Sequence, residues 1–199
     1  VIPDDCEGCS LCSRICPVEA ISMLDHICGL SYHSQTQYGN MFHAQLGIGE
    51  QNSGKLVAKL RENAHALAKK DMTDLIITDG PPGIGCPAIA TLTGADLAVI
   101  VAEPTMSAIH DMLRTIELCT HFGIKSGIII NKCDLNSDKT QEIYQHCQKS
   151  GIPVFGAIPF DKQFREAINN VLSPVEYSDY IREILTPIWE KVKTDLFKS

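Results

Sequence analysis

Four cysteines close to the start of the chain carry the most specific chemistry in this sequence. Cys6, Cys9, Cys12 and Cys16 are separated by two, two and three residues, and Pro17 follows the last of them. This C-x2-C-x2-C-x3-C-P spacing is typical of ligands to a [4Fe–4S] cluster. In two-cluster proteins the fourth cysteine ligates the other cluster, and this sequence has no second such run. The spacing therefore predicts that these four thiolates bind a [4Fe–4S] cluster.

A disulfide framework and a zinc site are the alternatives for this cysteine run. Disulfides need an oxidising compartment, whereas nothing in the sequence resembles a signal peptide and the nine cysteines are an odd number. Zinc sites usually pair two C-x2-C knuckles or add histidines at a set distance. The seven histidines show no such ligand spacing. A cluster in a cytoplasmic protein is the interpretation we expect to hold.

The remaining cysteines are expected to have mainly structural roles. Four are predicted to be small buried hydrophobic residues: Cys28, Cys119, Cys133 and Cys147. Cys28 has a second interpretation, as a remote fourth ligand that completes a lone cluster with the first three cysteines of the run. Cys86 lies at a predicted helix N-terminus, where the pKa of a thiol can fall, with a structural role as the alternative.

A Gly/Pro-rich loop after an apolar run offers a phosphate and metal site. Asp79 follows the run Leu75–Thr78 and opens the segment Asp-Gly-Pro-Pro-Gly-Ile-Gly. An aspartate at the end of a buried strand can hold Mg²⁺ directly or through water, as a Walker B residue does. Gly83 could bring its backbone N–H close to a terminal phosphate. The alternative is a simple turn with a capping aspartate.

Two further loops suggest recognition of a nucleotide base. Asn131-Lys-Cys-Asp134 follows the apolar run Gly127–Ile130, and Asn-Lys-x-Asp at a strand end is a base-recognition pattern of P-loop NTPases. Asn131 would contact the base edge, and Asp134 could accept hydrogen bonds from a purine, which would also suit guanine. Pro159 follows the next run and could line the base pocket. Turn capping by Asn131 and Asp134, or by Asp161 at the next helix, is the alternative.

The elements that must position these loops alternate between strand and helix. Apolar runs predict strands at Leu75–Thr78, Leu97–Ala102, Gly127–Ile130 and Val154–Ile158. Periodic stretches predict helices at about 56–70, 87–94, 106–122, 138–149, 161–170 and 177–194. Short alternating stretches around Leu30–His33 and Met41–Leu46 predict a hairpin with its loop at Ser34–Gly39. The pattern predicts an α/β fold, a parallel sheet with helices on both faces, whose ligand lies at the carboxyl ends of the strands.

Composition limits the possible partners. The net charge of −7 argues against a nucleic-acid-binding surface, because phosphate neutralisation requires basic residues. No apolar run reaches the roughly 20 residues that span a bilayer. The apolar fraction of 44% and the charged fraction of 21% are those of an ordinary soluble globular protein.

Together, these motifs resemble the MinD-superfamily P-loop ATPases that carry an inserted ferredoxin domain. The match runs from the cysteine motif through Asp79–Pro87 and Asn131–Asn136 to Ile158–Asp161. The resemblance implies an ATP site that often works at a dimer interface, and two [4Fe–4S] clusters. It gives Asp79 the Mg²⁺ and switch role and Gly83 the γ-phosphate-sensing amide. Asn131 and the backbone of Pro159 would hold the adenine.

The sequence departs from that family at its beginning. A member should start with a strand, a deviant Walker A loop and a first four-cysteine run, and none of these is present. Gly49–Lys55 fits G-x4-G-K, but Leu56 stands where Ser or Thr would bind Mg²⁺, so we expect an ordinary loop there. We predict that residues 1–27 are the second half of a ferredoxin-like domain. Residues 28–199 would be the C-terminal part of a MinD-like ATPase domain.

Three functions follow as hypotheses. The first is an ATPase that couples nucleotide state to electron transfer through [4Fe–4S] clusters to an unknown redox partner. The enzyme activity is expected of the full-length protein, because this sequence lacks the Walker A loop. The second is an iron–sulfur carrier or scaffold whose release is gated by nucleotide. The third is a nucleotide-inactive fragment that acts as a binding module, which the missing Walker A loop motivates.

Overall fold

The chain folds into two compact units, Val1–Thr93 and Gly94–Ser199. The structure is a computed structural model, and it describes Cys6, residues 8–48, Glu50 and residues 54–198. No helix within these ranges is both long and apolar enough to cross a membrane. The predicted boundary at residues 27 and 28 stays a prediction.

The first unit contains a β-hairpin and three helices. Its elements are α1 (Leu11–Ile15), β1 (Gly29–Thr36), β2 (Gly39–Leu46), α2 (Lys55–Asp71) and α3 (Cys86–Leu92). The hairpin is antiparallel, with Tyr32 opposite His43 and Thr36 opposite Gly39. The predicted hairpin is therefore present, but its loop is shorter than Ser34–Gly39. The Thr36 hydroxyl tightens the turn by donating to the Gly39 carbonyl at 2.8 Å.

One strand prediction in this unit is wrong. Residues 75–80 are in neither a helix nor a strand, and none of the strand pairings in the described chain includes Leu75–Thr78. Leu75 and Ile76 are half-buried, whereas Ile77 is 77% exposed. An apolar run indicates burial, but a strand also needs a hydrogen-bonded neighbour, which the pattern of one segment does not supply.

Helix α2 is tied to α3 by a single arginine. The Arg61 guanidinium donates to the carbonyl oxygens of Ala90 at 2.7 Å and Thr93 at 2.6 Å. These carbonyls belong to the end of α3, where the last turn of a helix lacks intrahelical donors. Partial burial lowers the pKa of Arg61, and the side chain serves as a C-terminal cap delivered from a neighbouring helix.

The second unit is a three-stranded parallel sheet with helices on both faces, as predicted. The strands β3 (Leu97–Ala102), β4 (Lys125–Asn131) and β5 (Val154–Ile158) pair in the order β3-β4-β5. The helices are α4 (Met106–His121), α5 (Ser137–Ser150), α6 (Gln163–Asn169), α7 (Pro174–Tyr177) and α8 (Asp179–Leu196). The helix predicted at 177–194 corresponds to α8, which begins two residues later because the buried Ser178 caps it by accepting from the Ile181 amide.

Alternation along β4 divides the core of this unit between the two faces. Ile128 and Ile130 pack with residues of α4 and α5 on one side. Ile129 packs on the other side with Phe155 and with Ile188 of α8. Such two-sided burial explains why these strands are continuous apolar runs rather than alternating ones.

Helix caps fix the loops that follow the strands. Thr105 caps α4 by accepting from the Ala108 amide at 3.2 Å. Asn136 caps α5 by accepting from the Lys139 amide at 3.0 Å. Both caps stand a few residues after a strand end, so β3 and β4 leave the sheet through short, closely held loops.

Candidate functional site

The cysteine segment lies in the first unit around the single helical turn α1. Cys6, Cys9 and Cys12 are exposed free thiols, and Cys16 is a half-buried one. The Ala20 amide donates to the Cys16 sulfur at 3.3 Å. This hydrogen bond, followed by that from Val18, lowers the pKa of the Cys16 thiol. The backbone thus favours the thiolate, which is the form that binds iron.

The donor chemistry of this segment fits a [4Fe–4S] cluster. Its thiols are free and mostly exposed, and thiolates are the ligands that such clusters use. Within the described ranges no group of three or more His, Cys, Asp or Glu side chains is arranged to hold a metal ion. The assignment of the four cysteines as ligands therefore stays a prediction.

The apparent G-x4-G-K run meets the cysteine segment through its lysine. Gly49 and residues 51–53 lie outside the described residues, and Lys55 begins α2. The Lys55 ammonium donates to the carbonyl oxygen of Gly8 at 3.2 Å. Gly8 stands directly before Cys9, so this contact places a positive charge on the loop between the first two predicted ligands. Sequence spacing alone did not indicate it.

Asp79 and Gly83 lie on one loop of the first unit, ahead of α3. Asp79 is exposed and follows the unpaired segment 75–78. Gly83 has a φ of +83°, and a Cβ added there would meet no atom within 4 Å. The loop thus has the left-handed backbone that favours glycine and open space beside it. Its roles in Mg²⁺ binding and phosphate sensing stay predictions.

The second unit brings Asn131, Asp134 and Pro159 together. Asn131 ends β4 and pairs with Ile158, which ends β5. The loops that follow, residues 131–134 and 158–161, are here called the linked loops. The Cys133 amide donates to the Ile158 carbonyl at 3.0 Å. The Phe160 amide donates to Asp134 Oδ1 at 2.7 Å.

An ion pair between Lys132 and Glu103, which the sequence analysis did not predict, connects the loop of residues 131–134 to the end of β3. Lys132 has a φ of +53°, which is uncommon for a residue other than glycine. Its ammonium lies 2.7 Å from a carboxylate oxygen of Glu103, which follows β3. The position of Glu103 at a neighbouring strand end was a signal for this pair. Parallel strands deliver their carboxyl ends to one edge.

The third loop prediction, at Asp161, is met in part. Asp161 Oδ1 accepts from the Gln163 amide at 2.8 Å, just before α6. The helix itself begins after Lys162, so Asp161 makes a local turn beside the cap position. Its carboxylate is engaged by the backbone of the helix start, as the capping alternative expected.

The other cysteines divide by burial. Cys119 and Cys147 are buried as predicted, and burial raises the pKa of both thiols. Cys133 is half-buried, and burial and then the charge of Asp134 raise its pKa. The prediction that Cys28 is buried is wrong. It is exposed and lies just before β1, where its carbonyl accepts from the Gly47 amide at 2.8 Å.

The chain is similar to several proteins of Methanocaldococcus jannaschii. An uncharacterised protein is 33% identical over 149 residues, which are 75% of this chain and 49% of that protein. A second is 25% identical over 186 residues, 92% of this chain and 62% of that protein. An uncharacterised ATP-binding protein is 30% identical over 112 residues, 55% of this chain and 40% of that protein. The chain thus spans 49% and 62% of the lengths of the first two relatives.

Solved structures with the same fold include two cell division proteins. The MinD cell division ATPase of Pyrococcus furiosus has a TM-score of 0.57 at 16% identity, covering 74% of this chain and 60% of that chain. The MinD cell division protein of Aquifex aeolicus has a TM-score of 0.60 at 17% identity, covering 81% of this chain and 68% of that chain. These likenesses confirm the predicted MinD-like fold.

Family comparison assigns both ends of the chain. A 4Fe-4S binding domain matches residues 1–22, which include the whole cysteine run. The family described as ParA, NUBPL iron-transfer P-loop NTPase, matches residues 53–193, well over half of the sequence. The linked loops and the Asp79 loop both fall inside that second match. The chain therefore belongs to the NUBPL iron-transfer P-loop NTPases and carries a 4Fe-4S binding domain ahead of the NTPase fold.

Proposed function

We propose that this protein binds ATP with Mg²⁺ and that its nucleotide state controls a [4Fe–4S] cluster held by Cys6, Cys9, Cys12 and Cys16. The observation that carries this proposal is the pair of linked loops, where two backbone and side-chain contacts bring Asn131 and Pro159 to the same strand ends. Ligands of parallel α/β sheets lie at such ends. A relative named as an ATP-binding protein supports the choice of nucleotide.

Each unit has nucleotide contacts of its own in this proposal. The Asn131 side chain and the Pro159 backbone would hold the adenine. Asp79 would hold Mg²⁺ directly or through water, and the metal would neutralise charge on the phosphates. The Gly83 amide would meet the terminal phosphate. The open space beside Gly83 supports this role, because a backbone N–H can be approached closely where no Cβ intervenes.

Delivery of the cluster to an acceptor protein is the first candidate for what the nucleotide controls. The family is described as iron-transfer, which favours this outcome. The exposure of Cys6, Cys9 and Cys12 also favours it, because an acceptor thiol must reach the iron. ATP binding and hydrolysis would switch the protein, as a homodimer in the cytoplasm, between holding and releasing states.

Electron transfer through the cluster to a redox partner is the second candidate. The C-x2-C-x2-C-x3-C-P spacing favours it, since proteins with this run carry electrons. In that case nucleotide state would change the reduction potential or the partner affinity, and the iron would stay bound to the protein.

The test uses the complete natural protein, reconstituted with iron and sulfide under anaerobic conditions. Cluster transfer to an apo-ferredoxin is followed by circular dichroism with ATP, with ADP and without nucleotide. Electron transfer from the protein, first reduced with dithionite and freed of excess reductant, to an oxidised acceptor is followed in parallel by absorbance. Asp79→Ala is compared with Asp74→Ala, which removes a nearby exposed carboxylate outside the predicted loop.

The outcomes separate the two candidates. An ATP-dependent rise in transferred iron that Asp79→Ala abolishes and Asp74→Ala retains supports cluster delivery. ATP-dependent acceptor reduction with iron retained on the protein supports electron transfer. The proposal would be overturned if ATP changed neither cluster transfer nor acceptor reduction. It would also be overturned if wild type and Asp79→Ala hydrolysed ATP at the same rate.

A further inference from the structure

Asp134 is bound to the backbone of the second linked loop. Its Oδ1 accepts the Phe160 amide at 2.7 Å, across 26 residues of sequence. We propose that Asp134 is a positioning residue that holds the Pro159–Phe160 backbone for adenine, and that it does not read the base itself. This inference rests on the proposed function, and it changes the role expected of Asp134 in an Asn-Lys-x-Asp pattern.

The backbone of Asp134 is itself held in place. The preceding Cys133 amide donates to the Ile158 carbonyl at 3.0 Å. The Cys133 carbonyl accepts from the Thr140 hydroxyl at 2.7 Å, which attaches the loop to α5. Two successive residues of the first loop therefore contact two nearby positions of the second, Ile158 and Phe160. Pro159 lies between those contacts, so its own carbonyl is fixed by hydrogen bonds on either side.

The ion pair on the opposite side completes the arrangement. Lys132 takes a left-handed backbone conformation that costs a non-glycine residue free energy. Its contact with Glu103 at 2.7 Å ties that conformation to the end of β3. Asn131, immediately before Lys132, is thus presented from a loop anchored at three neighbouring strand ends. Anchoring of this kind lowers the entropy lost when a ligand is bound.

The contact also bears on which purine the site accepts. Guanine presents two adjacent donors, a ring N–H and an amino group, and a free carboxylate can accept both with its two oxygens. Asp134 already uses one lone pair of Oδ1 for a main-chain amide, so a bidentate contact of this kind would have to share that oxygen with the amide. Adenine needs no such carboxylate, because its amino group can donate to a backbone carbonyl.

The test compares three variants of the complete natural protein. Asp134→Ala removes the acceptor, and Asp134→Asn keeps an oxygen in the same place without its charge. Asp138→Asn, an exposed carboxylate in the first turn of α5, controls for loss of charge nearby. ATP and GTP affinities are measured by calorimetry. Exchange of the Phe160 amide is measured without nucleotide by hydrogen–deuterium exchange.

A positioning role predicts a specific set of results. Asp134→Ala should weaken ATP binding by about threefold to tenfold, which is within the range of a typical intramolecular hydrogen bond. It should also speed exchange of the Phe160 amide. Asp134→Asn should recover most of the affinity and leave the preference for ATP over GTP unchanged. Asp138→Asn should match wild type in every measurement.

Two results would overturn the inference while leaving the proposed function intact. One is wild-type ATP affinity in Asp134→Ala despite faster exchange at Phe160. The other is a changed preference between ATP and GTP in Asp134→Asn, which would mean that the carboxylate reads the base. Absence of binding of either nucleotide to wild type would defeat the proposed function, and the inference with it.

Discussion

At the scale of single residues, Val171 occupies a position that normally requires glycine. It follows α6 with a φ of +57°, and its side chain is 92% exposed. The amides of Val171 and Leu172 donate to Ile168 and Ala167, which is the pattern of a Schellman helix end. A β-branched residue in this conformation is strained, and an exposed side chain offers little packing in return.

Val171→Gly is therefore expected to raise the free energy of unfolding by about 1 kcal/mol, through relief of that strain. The matched control is Gly151→Ala at the end of α5, where φ is +67° and a Cβ would meet nothing within 4 Å. It should lower stability by about 1 kcal/mol. Urea unfolding monitored by circular dichroism measures both. A lower midpoint for Val171→Gly would show that the valine side chain contributes contacts that outweigh the strain.

The cysteines offer a pH-dependent prediction at the same scale. The thiolate is the nucleophile, and backbone hydrogen bonds lower the pKa of Cys16. In the iron-free, reduced protein, alkylation of native Cys16 by iodoacetamide should reach half its maximal rate at a lower pH than after unfolding. Burial raises the pKa of Cys119 and Cys147, so both should stay unmodified until the protein unfolds. Mass spectrometry of peptides from a pH series reads all three, and equal native and unfolded profiles for Cys16 would contradict the expectation.

At the scale of elements, the contact between β4 and β5 depends on a glycine. A Cβ added to Gly127 would lie 2.2 Å from Cε2 of Phe155, whose ring is buried against α8. A well-packed core has no room for such an addition without displacement of the ring. The ring of Phe155 in β5 thus lies over Gly127 in β4, and the absence of a side chain on the glycine makes room for the ring.

Gly127→Ala should lower the free energy of unfolding by about 1–3 kcal/mol, the usual cost of overpacking. Ser126→Ala, one residue earlier, adds no bulk and should change stability by less. If the clash is with Phe155, the double variant Gly127→Ala with Phe155→Leu should lose less than the sum of the two single changes. Strict additivity in urea unfolding would assign the loss to another cause.

At the scale of the whole molecule, sequence periodicity predicted the bounds of helices and strands along the chain better than it predicted which elements pair with one another. The bounds of β3 and β5 are the predicted ones, because each is a continuous apolar run that ends in a turn. Leu75–Thr78 is also mostly apolar, yet it forms no strand, since pairing depends on a partner elsewhere in the chain. Composition cannot report that partner.

The same limit applies to the candidate site. The position of Asn131 and Pro159 at adjacent strand ends follows from the alternation of strands and helices, because parallel strands end at one edge. The contact from Phe160 to Asp134 does not, because it depends on the direction of one side chain and on a turn 26 residues away. The exposure of Cys28 was missed for a similar reason, since a cysteine in sequence gives no sign of whether anything covers it.

The contact between Lys55 and Gly8 joins segments that are 47 residues apart, and it has an electrical consequence. A cluster with four thiolate ligands is negatively charged, and net charge and hydrogen bonds nearby set its reduction potential. The ammonium on the loop before Cys9 should stabilise the reduced, more negative form. Lys55→Gln should therefore shift the midpoint potential to a more negative value, measured by spectroelectrochemistry of the reconstituted protein.

Lys59→Gln is the matched control, because its ammonium is paired with Glu62 one turn further along α2. An equal shift in both variants would indicate a general effect of charge rather than of the contact. If only Lys55→Gln shifts the potential, then the contact from the first residue of α2 to Gly8 contributes to the reduction potential of the cluster. A lysine that stands in an apparent phosphate-binding run would then raise the reduction potential of the iron–sulfur cluster.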